Sequence, residues 1–290
     1  MATENNPPYP PAASDRRRDR PHWVLDDAVY SIAALLLSVI VIHSIWTLVI
    51  RPRAEAVLSQ RVEMTQAGTN VKTQVLQLRS IYVILKDHEQ ELCITLMLWS
   101  LFLIARQGYE TRKARQSLDR DYVKLGEGQV VLPEDARVYQ RPLEALPREE
   151  QDNFLVRLLT VAYNRFGATR SVQDAAEAVR VECEFEAASM DTKLSMVRFT
   201  AWAIPAVGFV GTVRGIGAAL QEAQGAMGGD ISGVTMGLGI TFNATLTALV
   251  CCIVVMFWMH QLQQYQDRLV LDGRTYVDRQ LLRKMRVVAK

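Results

Sequence analysis

From Ala28 to Ile50 the chain runs 23 residues without a formal charge, carrying only scattered hydroxyls and His43, and Arg51 and Arg53 close the run. A helix needs about 20 mostly apolar residues to cross the hydrocarbon core of a bilayer. Lipid offers no water to an open backbone, so such a run must fold as a helix. Three more apolar stretches follow, Leu92–Ala105, Phe199–Leu220 and Gly233–Met259. The first of these has only 14 residues. It reaches spanning length if a helix starting near Val71 continues through it. The third is interrupted only by Arg214, and the fourth carries Thr235, Thr241, Asn243, Thr245 and Thr247. The fold class expected is all-α: a polytopic membrane protein with about four transmembrane helices.

Basic residues orient it. Arg16, Arg17, Arg18 and Arg20 precede the first span, Arg106, Arg112, Lys113 and Arg115 follow the second, and Arg279, Arg283, Lys284 and Arg286 lie in the tail. Gln221–Ser232 has no Lys or Arg. The positive-inside rule then puts both termini and 106–198 in the cytoplasm. Segment 51–91 blurs this with six Lys/Arg, although its charges are mixed. The first span is too long for a removable signal peptide and too far from a small-residue cleavage site. A net charge of +2 with no concentrated basic face excludes nucleic acid as an expected partner.

The expected segments are a disordered cytoplasmic tail over 1–27, spans at 28–50 and 92–105, and between them an extracytoplasmic helical hairpin at 51–91. A cytoplasmic helical domain at 106–198, spans at 199–220 and 233–259, and a cytoplasmic C-terminal helix at 260–290 complete the chain. The hairpin breaks at Ala67-Gly68-Thr69-Asn70, and Val71, Val75, Leu78, Tyr82 and Leu85 form one stripe beyond it. In the cytoplasmic domain, Pro133, Pro142 and Pro147 mark a loop-like middle, and Phe154, Leu155, Leu158, Leu159 and Ala162 share a helical face. Ser171 with Asp174 has the spacing of a capping box. From there no Gly or Pro interrupts the chain before Pro205, so a helix of about 50 residues, roughly 75 Å, runs from cytoplasm through the membrane. Glu177, Glu182, Glu184 and Glu186 form either a solvated face or a partner contact. Cys93, Cys183, Cys251 and Cys252 lack metal or disulfide spacing and read as small packing residues.

The chemistry concentrates in the last two spans. Gly208, Gly211 and Gly215 fall on one arc of the third, a small-residue face that lets transmembrane helices approach closely. Pro205 lies a turn earlier, and Thr212 sits beside the arc. The Thr212 hydroxyl can bond its own i−4 carbonyl or offer an oxygen to a passing ion. In the fourth span Thr241 and Thr245 share a face, and Asn243 and Thr247 lie about 160–240° around from Thr241. Lipid satisfies neither side, so at least one must meet water, an ion path or a neighbouring helix. Interhelical packing and a pore role both remain open for these residues. His43 is a proton relay or a hydrogen-bonded packing residue. No Ser/His/Asp set, phosphate loop or metal spacing appears, so no enzyme activity, cofactor or metal is expected.

At these residues the chain resembles the MotA/TolQ/ExbB proton channel family. Gly211-Thr212-Val213 followed by Gly215-Ile216 is similar to the Gly-Thr-Val-x-Gly-Ile of the ExbB and TolQ third span. Pro205-Ala206-Val207-Gly208 resembles the Pro-Ala-Leu-Gly of the MotA third span, and Leu238-Gly239-Ile240-Thr241-Phe242-Asn243-Ala244 resembles the Leu-x-x-Thr-x-x-Gly of the last. The four-span layout is MotA-like. The resemblance implies a ring, a homo-oligomer of five copies in the bacterial inner membrane, enclosing a dimer of a single-span partner of the ExbD/TolR/MotB kind. Ion flow, of H+ or alternatively Na+, then drives rotation of ring against partner. An aspartate of the partner carries the ion, and Thr212 and Thr241, with Thr245, line its route. Pro205, Gly208, Gly211, Gly215, Asn243 and Thr247 are assigned to helix packing. Two departures stand out. Met236 occupies the place of the ExbB and TolQ membrane glutamate, which leaves the ring without an evident acid of its own. Arg214 replaces an apolar residue, and either snorkels outward or pairs with Glu222, Asp230 or a partner carboxylate. The rivals are a non-conducting scaffold and a small-solute transporter; the latter predicts inverted repeats and broken helices, and neither is visible.

Overall fold

The computed structural model describes residues 22–66, 81–120, 122–123, 129–225 and 232–287. Of the disordered tail expected over 1–27, residues 22–27 are instead the start of the first helix and the rest lies outside these residues, as do 71–80 of the helix expected to start near Val71. Among the described residues the chain is helical, with a single isolated β-bridge. Four long helices are apolar enough to cross a membrane. Three of them form a tight group. Helix α4 (His88–Gln116), α9 (Ser195–Gly225) and α10 (Ser232–Gln280) pack on one another, and α1 (His22–Ile45) lies against α4.

Helix α1 continues through a π-helical turn, Trp46–Ile50, into α2 (Arg51–Gln66). Pro52 explains the turn. It has no N–H for the Leu48 carbonyl and its ring crowds that group, and the ladder instead shifts so that Arg51 N–H bonds Trp46 O. The inward residues Ala34, Ser38, Ile42, Trp46, Ile50 and Ala54 recur every four, wider than the 3.6 of an ideal helix. The π turn inserts a residue and keeps this stripe facing inward. Trp46 Nε1 donates to Leu85 O at 2.8 Å, and Trp99 Nε1 donates to Ser31 O at 2.9 Å.

The second span differs from its expected form. The short helix α3 (Ile81–Ile84) ends before a break at 85–87, so no helix from Val71 runs through it. Instead α4 starts at His88 and gains its length downstream, through the charged turns after Ala105. Asp87 is its extended N-cap, and Glu89 and Glu91 in its first turn suit the positive end of the helix dipole.

At the other end sits a helical domain. Helices α5 (Ala136–Glu144), α6 (Arg148–Gln151), α7 (Phe154–Thr169) and α8 (Val172–Lys193) close around α7. Its residues Leu155, Leu158, Leu159, Ala162 and Phe166 are fully buried. Asn153 caps α7, accepting from Leu155 N at 3.1 Å, and Ser171 caps α8, accepting from Asp174 N at 3.2 Å. Arg170 ends α7 in a left-handed conformation, φ 53°. The glutamates of α8 pair with arginines, and Glu177 and Glu184 stay on a solvated face, 58% and 62% exposed. Glu182 and Glu186 pair with Arg157, and Glu177 and Glu184 with Arg180. The long rod is present with one seam, at Leu194 between α8 and α9, where Arg198 reaches back to the Asp191 carboxylate and carbonyl. Helix α10 is the spine that joins both parts: Ala248 and Val255 lie in the membrane group, and Leu269 and Val277 in the domain core.

All four cysteines are buried and free. One has a defined task. Pro205 inside α9 leaves the Ala201 carbonyl without its usual N–H donor, and Cys252 Sγ reaches that carbonyl at 3.2 Å. Cys252→Ala should therefore lower stability by about 1 kcal/mol, read as thermal unfolding of the detergent-solubilised protein. Cys252→Ser should retain most of it, and in a Pro205→Ala background, where the helix donor is restored, the cost should vanish.

Candidate functional site

Helices α9 and α10 meet antiparallel through residues that have almost no side chain. A Cβ placed on Gly208 would come closer than 3.0 Å to Ala248, one on Gly211 to Ala244, one on Gly215 to Thr241, and one on Gly237 to Ala219. The four pairs keep one register along the whole contact. No hydrophobic effect drives association inside lipid, so this closeness supplies dispersion contacts instead.

Close approach brings the hydroxyls together. Thr212 Oγ1 hydrogen-bonds Thr245 Oγ1 across the seam and also donates to Gly208 O at 3.1 Å. Thr241 Oγ1 donates to Gly237 O at 3.0 Å, and the residue is 2% exposed against Gly215. Within this one chain, then, Thr212 and Thr245 form a unit, and Thr241 lies one turn further along the same seam. Thr247 is buried and Asn243 half-buried on a flank of α10. Pro205 marks the opposite end of this contact, where Cys252 meets Ala201.

Arg214 has a partner that sequence reasoning missed. Its guanidinium donates to Glu89 Oε2 at 2.8 Å, not to Glu222, and Asp230 falls outside the described residues. The Glu89 side chain is only 12% exposed, against 53% for Arg214. Its Cβ and Cγ fill the notch over Gly211, lying 3.4 and 3.1 Å from where a Cβ would be. The chain therefore does bring an acid of its own to the threonine seam, from α4. Around it Asp87 Oδ2 is buried without a hydrogen-bond partner, as are both amide atoms of Gln90. Burial pushes the Asp87 carboxyl above the usual carboxylate range, with Lys86 and Arg214 pulling the other way. Glu91 next door fastens α1: His43 Nδ1 lies 2.7 Å from Oε1 and Arg51 donates to Oε2 at 2.8 Å. His43 is thus tied to a carboxylate, with its side chain 60% exposed. The signal for this cluster was the run Asp87-His88-Glu89-Gln90-Glu91, which reads as a hairpin end when the span is started at Leu92.

Residues 148–274 match the MotA/TolQ/ExbB proton channel family. Over these residues the chain is similar to that family. The match contains the entire α9–α10 seam and all of α7 and α8, and Glu89 lies upstream of it. No curated protein matches the chain. Its four candidate spans fit a multi-pass membrane protein, and the matched family is one of ion-driven membrane complexes.

The seam tolerates no added bulk. Gly215→Val should destabilise the protein by about 1–3 kcal/mol through overpacking on Thr241, measured as thermal unfolding in detergent. Gly217→Val is the control. Nothing lies within 4 Å of a Cβ there, so its unfolding temperature should stay at the wild-type value.

Proposed function

We propose that this chain is the ring subunit of a proton-driven motor in the bacterial inner membrane, with both termini in the cytoplasm. Copies of the chain, five by resemblance, surround two single-span partner helices. Protons pass between ring and partner along the α9–α10 seam, and the flow is converted to movement of one against the other. The reading assigns the chain no catalytic residues and no cofactor. The observation that carries it is the Thr212–Thr245 hydroxyl pair beside Thr241 within the family segment. Adjacent hydroxyls at a helix contact can exchange hydrogen bonds with an ion or water once a partner separates them. The basic tails and the Lys/Arg-free Gln221–Ser232 stretch support the orientation.

A second reading has an observation in its favour. The Thr212 and Thr241 hydroxyls are satisfied inside one protomer, as they would be in a non-conducting scaffold whose polar groups only hold helices together. Thr212→Val and Thr241→Val separate the two, because valine keeps the shape and removes the hydroxyl. In vesicles containing the chain and its single-span partner, the motor reading expects unchanged oligomer size and partner-dependent proton flux reduced roughly tenfold or more, a barrier change of about 1.4 kcal/mol. Lost assembly, or wild-type flux in both variants, favours the scaffold.

A further inference from the structure

We infer that Glu89 is a proton-relay carboxylate that this chain supplies to its own threonine seam, with Arg214 as the counter-charge that holds it between transfers. The inference rests on the motor reading above and deepens it.

Three observations converge on the first turn of α4. Glu89 is packed over Gly211, one residue from Thr212, at the point where Ala244, one residue from Thr245, also meets α9. Its carboxylate is held by one cation from α9 that is 53% exposed, so the cation has room to swing away while the acid stays. The third is the unpaired polar surface next to it. Gln90 is 0% exposed with both amide atoms unpartnered, and Asp87 Oδ2 is also orphaned. Asp87 and Gln90 have the spacing of an N-cap and its reciprocal partner, yet no side-chain bond caps the helix. Gln90 lies one turn from Cys93 on the face that meets α9, where the Cys93 thiol reaches Ile204 O. Buried donors and acceptors left open cost about 1–3 kcal/mol each and call for an occupant, and in the relay that occupant is water.

Charged neighbours do not compete for the role. Lys86, Asp87, His88 and Glu91 lie beside Glu89 in the chain, and Glu91 is held by His43 and Arg51 of the first helix and its extension. From Ser232 to Met259 α10 carries no charged residue, only Cys251 and Cys252 as titratable groups. In the relay, a hydronium ion gives its proton to a Glu89 carboxylate oxygen, leaving neutral water, and Arg214 is released. That O–H bond then breaks as the proton passes by way of the Thr212 and Thr245 hydroxyls to a carboxylate of the partner helix. Glu89, again an anion, recovers Arg214.

The test uses the full chain produced with a single-span partner of the ExbD/TolR/MotB kind, in vesicles with a pH-sensitive dye and sodium-free buffer. Glu89→Gln should reduce proton flux roughly tenfold or more, and Glu89→Asp should keep a measurable part of it. The double variant Glu89→Gln with Arg214→Gln is decisive, because a purely structural ion pair is harmed chiefly by the charge left behind. As a relay, the double variant assembles at wild-type size but conducts no better than Glu89→Gln alone. Wild-type flux in Glu89→Gln, or flux restored in the double variant, overturns the relay and leaves the motor reading standing. A wild-type complex that assembles and passes no protons overturns both.

Discussion

Everything in the membrane part depends on the absence of side chains along one line of contact. Gly208, Gly211, Gly215 and Gly237 let α9 and α10 touch nearly backbone to backbone. At ordinary helix spacing of about 8–10 Å, the Thr212 and Thr245 hydroxyls would not meet. Nor would Glu89 from α4 find a notch over Gly211 deep enough to hold it. Close packing, hydroxyl pairing and the placement of the acid are consequences of the same missing atoms. They also explain why a helix with a proline inside it stays in place, since the tight contact brings Cys252 to the carbonyl that Pro205 leaves open.

The same helix ties this seam to the domain. Helix α10 contributes Thr241 at one end and Leu269 and Val277 to the domain core at the other. Gly273 lets it pass against Phe154, and Arg115 of α4 meets Asp272 at 3.0 Å. A displacement at the seam therefore has a stiff path to the domain, and α8 joined to α9 at Leu194 is a second one. The proposed motor would depend on such rigid coupling, because a packed core transmits strain.

Much of this was legible in the residues. Apolar run length marks spans because lipid leaves a backbone no alternative, and the small-residue arc of Gly208, Gly211 and Gly215 marks close approach for the same reason. The Ser171 cap and the Leu155–Ala162 face are local patterns, and both are present. What stayed hidden was tertiary. Arg214 and Glu89 are 125 positions apart, and no periodicity connects them. The start of α4 was obscured because its first turn is charged while its length comes from the polar turns after Ala105. The π turn at Trp46–Ile50 follows from Pro52, but nothing local says that the helix survives the proline rather than ending there.

The central claim is that the α9–α10 seam is reached by water in the assembled complex. Thiol labelling at Thr212→Cys measures this directly, since the native cysteines are all buried. A small charged methanethiosulfonate, added to vesicles carrying ring and partner, should react at position 212 and stop proton flux as it does so. If only a lipid-soluble thiol reagent reacts there, and flux continues, the seam faces acyl chains and the account is wrong.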